Sequence, residues 1–138
     1  MHKLGENLRV DPAMIAATLN NSSNVASYLW VDMSLYDSLL CIIQSAAMHN
    51  SSVVTVQLKQ ATNNAGANVK SITGFTSSFS GTDDNKAKVI SLRAENLDVN
   101  NSFRYVAVLL TETATQNAAM SATFVRERAR YAQATLPA

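Results

Sequence analysis

The run FRYVAVLLTET, residues 103–113, limits what this chain can fold into more than any other stretch. Successive side chains of a strand point to opposite faces. Phe103, Tyr105, Ala107 and Leu109 would therefore share one face, and Arg104, Val106, Val108 and Leu110 the other. Its β-branched and aromatic residues suit a pleated surface, and apolar residues on both faces predict an interior strand covered on each side. Asp98, Asn100 and Asn101 just before it form an acidic, Asn-rich turn. Such a strand needs partners. Residues 53–60, VVTVQLKQ, alternate cleanly, with Val54, Val56 and Leu58 inward and Thr55, Gln57 and Lys59 outward. Residues 86–94, KAKVISLRA, read the same way, and the three runs are expected to be adjacent antiparallel strands.

Further strands are expected at YLWVDM, at LLCIIQSAAM, at residues 69–75 and 77–80, and at residues 120–128. Turns at residues 34–38, 49–52, 61–68, 81–85 and 114–118 separate them. About eight short strands with no dependable helix between them predict an all-β fold, an antiparallel β-sandwich of jelly-roll-like or Ig-like type. Residues 25–138 form the sandwich domain in this reading. Residues 1–24 precede it as an extended N-terminal arm. DPAMIAATLNN also fits a short helix with Asp11 as N-cap and Pro12 at the first helical position. As an arm it offers Leu8, Val10, Met14, Ile15 and Leu19 as anchors for a neighbouring subunit, too few apolar side chains for a core of their own.

At 138 residues the chain fits one domain. Only 15% of the residues are charged, against roughly a quarter in ordinary soluble domains; Ser, Thr, Asn and Gln fill the difference. A near-neutral surface offers little repulsion against self-association or docking. A net charge of +1 is no electrostatic footprint for nucleic acid, and no stretch is long and apolar enough to suggest a membrane span. Cys41 lies in the apolar run LLCIIQ and reads as a small buried residue. His2 and His49 lack partners at metal-ligand spacing. Asp83, Asp84 and Asn85 miss the pattern of a calcium loop and read as a solvated turn. Asp32 and Asp37 near Trp30 are the one conceivable acid–base pair, and carboxylates beside turns more often cap backbone N–H groups. No residue is assigned to catalysis, to a metal or to a cofactor. Arg126, Arg128 and Arg130 would share a strand face, either as guards of a sheet edge or as a strip that binds a partner's carboxylates.

The order of these elements resembles small head proteins of tailed bacteriophages. The resemblance spans residues 25–131 and rests on Trp30-Val31-Asp32-Met33, on Gln60-Ala61-Thr62 with Gly66 and Lys70, and on Glu95-Asn96-Leu97-Asp98-Val99 before Tyr105. It implies a non-enzymatic virion structural protein, made in the host cytoplasm, that decorates or cements the capsid surface. The implied partners are the major capsid protein and copies of itself, in a homo-oligomer, with no membrane and no direct nucleic acid. A head–tail connector or tail component, or a receptor- or carbohydrate-binding module with Trp30, Tyr28 and Asp32 as its platform, are the other readings.

Overall fold

The computed structural model describes residues 8–20 and 29–129. The strands are β1 (Leu8–Asn20), β2 (Val31–Asp32), β3 (Tyr36–Met48), β4 (Val53–Ala61), β5 (Lys70–Ser80), β6 (Ala87–Arg93), β7 (Tyr105–Glu112) and β8 (Asn117–Ala129). They form two antiparallel sheets, ordered β1-β8-β3-β6 and β2-β7-β4-β5. Apart from the β4–β5 hairpin, each step along the chain crosses from one sheet to the other. This order is the double Greek key of a jelly roll, so of the two expected sandwich types the first is the one formed.

The inward parity of each strand supplies the core. Leu39, Cys41 and Ile43 of β3, Ile90 and Leu92 of β6, and Met120, Ala122 and Phe124 of β8 line one sheet. Val54, Val56 and Leu58 of β4, Phe79 of β5, and Val106, Val108 and Leu110 of β7 line the other. Each large side chain buried in this way contributes about 1.5–3 kcal/mol. The alternation read at residues 53–60 and 103–113 holds, and β4 pairs with β7 in the register Val54↔Glu112 to Ala61↔Tyr105.

Several expectations are corrected. Residues 8–20 are no arm outside the sandwich. They form β1, which pairs with β8 from Leu8↔Glu127 to Asn20↔Asn117 and places Ala13, Met14 and Leu19 in the core. Pro12 therefore lies within a strand, and β1 is an edge strand, where proline is tolerated. The strand β6 pairs with β3 in the opposite sheet rather than beside β4 and β7. β7 is interior to its sheet, and its outer face is partly covered: Ala107 is buried there, and Tyr105 and Leu109 are half-buried. In YLWVDM only Val31–Asp32 is strand among the described residues. The two short strands expected around Gly74 are one, β5, which bends where Gly74 takes a φ of 89° and the register with β4 shifts. Gln57 caps this bulge: its Nε2 donates to the carbonyls of Leu58, Ile72 and Phe75 at 2.7, 3.0 and 3.4 Å.

Since β1 is part of the sandwich, a chain lacking residues 1–20 should be strongly destabilised. It strips Met14 and Leu19 from the core and leaves a buried arginine on β8 without its carboxylate, a loss that alone costs about 3–5 kcal/mol. Urea unfolding checks this, and an unchanged midpoint would contradict the pairing of β1 with β8.

Candidate functional site

The jelly roll gathers its loops at two ends. One end carries residues 49–52, 81–86 and 113–116; the other carries 33–35, 62–69 and 94–104. At the first end the loops are tied down. The carboxylate of Asp83 accepts the Ser80 backbone N–H at 2.9 Å and the ammonium groups of Lys86 and Lys88 at 3.1 Å each. These bonds, the Ser80 N–H first, hold its carboxyl well below the usual range. Lys88 also lies over the Phe79 ring, 4.7 Å from its centre, and so links the edges of the two sheets. Gly81 runs against the backbone of Asn50, where a Cβ would come within 2.2 Å of the Asn50 carbonyl oxygen. Beneath the last turn, the buried Glu112 accepts N–H bonds from Ala114 at 2.9 Å and Gln116 at 3.2 Å.

The second end is different. Leu35, Val69 and Val99 stand on three separate loops and are 56%, 50% and 57% exposed. Val99 is on the wall of a hollow of about 450 Å³, lined also by Met33, Thr62, Leu97, Phe103 and Arg104 among others. Its walls are fixed from below. Lys70 bonds Asp98 at 2.5 Å and lies 4.1 Å from the centre of the Phe103 ring, and Asp98 N–H donates to the buried Gln60 Oε1 at 2.9 Å. The Lys70 and Asn101 bonds lower the Asp98 pKa, so this carboxylate stays ionised. Exposed aliphatic tips of this kind can bury apolar surface against a partner.

The residues expected to make contacts scatter. Val10 is 66% exposed and Leu8 half-buried, whereas Met14 and Leu19 face the core, so those two cannot anchor another subunit. The side chain of Ile15 lies outside the described residues. Arg126 is no part of a surface strip, and β8 is no edge, since it lies between β1 and β3. The Arg126 guanidinium is only 6% exposed; it grips Asp11 Oδ2 through Nε at 3.0 Å and Nη2 at 2.7 Å, donates to the Asp32 carbonyl at 2.7 Å, and lies 4.4 Å from the centre of the Tyr36 ring. The side chain of Arg128 and the whole of Arg130 lie outside the described residues.

The other candidates resolve as follows. Cys41 is buried, and burial pushes its thiol up to about 12, which leaves it protonated and unreactive. Asp32 accepts the Ser34 N–H at 2.9 Å, a turn-capping role. Trp30 is half-buried, with its ring against Gly66, where a Cβ would sit 3.1 Å from Cζ2. No three His, Cys, Asp or Glu side chains gather as a metal site among the described residues. Sequence reading missed Leu35, Val69 and Val99, because single aliphatics in polar loops carry no periodic signal.

No protein-family model matches the chain, and no curated protein matches it in sequence. Solved structures do match its shape. The Triatoma virus empty capsid superposes with a TM-score of 0.54 at 11% identity, over 94% of this chain and 94% of that one. The VP2 subviral particle of infectious bursal disease virus gives 0.50 at 7% identity, over 88% of this chain. The present chain spans about a third of that protein, 32% of its length. Bacillus endospore appendages, which form disulfide-linked pili, give 0.46 at 10% identity over 89% of each chain. At such identities the likeness establishes the fold, a jelly roll of the kind seen in viral capsid proteins.

The Asp83 clasp predicts an acid response. A carboxyl with a depressed folded pKa stabilises above its ordinary value of 3.8 and loses that contribution as pH falls toward the folded value. The wild-type Tm should therefore fall below pH 3.8 more steeply than that of Asp83→Asn. Parallel Tm–pH curves for the two proteins would show that the clasp does not act.

Proposed function

We propose that this protein is a non-enzymatic structural component of a virus particle, one that decorates or cements the capsid surface. The observation that carries this reading is the apolar loop end. Leu35, Val69 and Val99 stand out to solvent from three loops of one end, Val99 on the wall of a hollow, and exposed aliphatics gathered at one end of a frame mark a docking surface. The jelly roll spans the chain as it spans the capsid protein of Triatoma virus, which supports the virion setting. In this reading the loop end meets the major capsid protein and the protein resides on the virion surface. Little net charge means little long-range steering, so attachment depends on shape fit, apolar contact and the many copies on a shell.

A connector or tail component would use the same chemistry in a ring of small fixed number. A sugar-binding platform fits less well, since it needs an open indole and the Trp30 ring lies against Gly66.

The test uses particles stripped of this protein and rebound with purified chain. Wild type should saturate at a copy number comparable with the shell subunits. Leu35→Asp and Val99→Asp, at exposed positions, should keep the wild-type Tm and bind at least about tenfold more weakly, a change of about 1.4 kcal/mol. Undiminished binding by both variants, or saturation at a single ring's worth of copies, would overturn the decoration reading.

A further inference from the structure

The outer faces of the two sheets differ in a way a free sandwich does not require. On the β4–β7 sheet the outward positions include Thr55, Gln57, Lys59 and Thr111, as expected of a solvated face. On the β1-β8-β3-β6 sheet two neighbouring rows of outward positions are uncharged and mostly aliphatic. Strand register places Val10, Val125, Leu40 and Ser91 in one row and Pro12, Thr123, Ile42 and Val89 in the next. Val10 and Val89 are 66% and 60% exposed, and no charged residue occupies either row. Charge returns only at the ends, with Glu127 and Arg93 flanking Ser38 at one and Lys86 at the other. An apolar centre within a charged rim is the anatomy of a protein interface.

The same face is uneven along its length. Beyond these two rows the strands carry mostly small residues, Ala17, Ala46, Ala87, Ala119 and Ser121, with Thr18 and Gln44 among them, and leave a trough of about 650 Å³. The face thus has a ridge of large side chains at one end and a hollow of small ones at the other. A two-fold axis through its middle would lay the ridge of one molecule in the trough of the next, and the reverse, as an isologous contact demands.

We propose that this face is where a second copy of the chain packs, sheet against sheet. The area fits. Strands about 4.8 Å apart and a rise of about 3.4 Å per residue give roughly 500 Å² per molecule. The pair would then bury about 1,000 Å², the lower bound for a specific interface. The uncharged rows bring no like charges together across the axis. Edge-to-edge pairing is the competing mode, and the β1 edge resists it: Pro12 removes a donor, and register shifts on either side of Met14 break the ladder. The inference stands on the face itself and does not need the virion reading.

Sedimentation velocity of the full chain is the test. Wild type should form a dimer. Val10→Glu and Val89→Lys, each at an exposed position, should weaken it at least tenfold while leaving the circular dichroism and Tm unchanged. Mixing Val89→Lys with Ala46→Glu should restore a heterodimer, since a lysine on one ridge then meets a glutamate in the other trough. Thr55→Glu on the opposite face should change nothing. A monomeric wild type, a dimer broken by Thr55→Glu but not by the first two variants, or monomers whose Val10→Glu form fails only to bind particles, would each overturn the proposal.

Discussion

The structure depends on how its last strand is held. β8 enters between β1 and β3, and the buried Arg126 fixes it there by gripping Asp11 of β1, the Asp32 carbonyl of β2 and the ring face of Tyr36 on β3. A guanidinium this deep is tolerated only because its donors are met by a carboxylate and a carbonyl in good geometry. With β8 placed, the first sheet is complete, and the aliphatic inward rows of both sheets can close on each other. The two ends then receive their loops, one clamped through Asp83 and Glu112, the other left with apolar tips.

In the proposed reading, this division serves contact rather than chemistry. The titratable groups that are firmly held, Asp83, Asp98 and Arg126, each satisfy a backbone or side-chain partner within the fold. The thiol of Cys41 is buried and protonated. Among the residues that face outward are exposed aliphatics: the loop tips Leu35, Val69 and Val99, and the sheet positions Val10, Val53 and Val89. These lie on separate parts of the molecule, so a jelly roll could meet a supporting surface with its loop end and a sister copy with its first sheet.

Much of the fold was legible because period-2 alternation is a local signal. Residues 53–60 and 103–113 showed their faces, and the all-β class and sandwich followed from them. β1 was illegible for a physical reason. The register shifts around Met14 break its alternation, Pro12 argues against an interior strand, and its partner lies about a hundred residues away. Arg126 misled for the same reason: three alternate arginines look like a surface strip, and only the fold brings Asp11 to the first of them, 115 residues distant. The apolar outer face was half visible in LLCIIQ, where Leu40 and Ile42 match Leu39, Cys41 and Ile43 in polarity. That run was read only as an apolar strand, and which of its faces meets solvent was not legible from it. The loop-tip aliphatics had no pattern to betray them.

Hydrogen exchange of the backbone amides in the dilute protein tests the central claim directly, that residues 8–20 are an integral strand of a jelly roll closed by β8. Amides of β1 that bond to β8 should be protected together with those of β8 itself, and Asp11→Asn should lower both while leaving β4 more protected. Exchange of residues 8–20 at the rate of an unstructured peptide, with β4 and β7 fully protected, would contradict it.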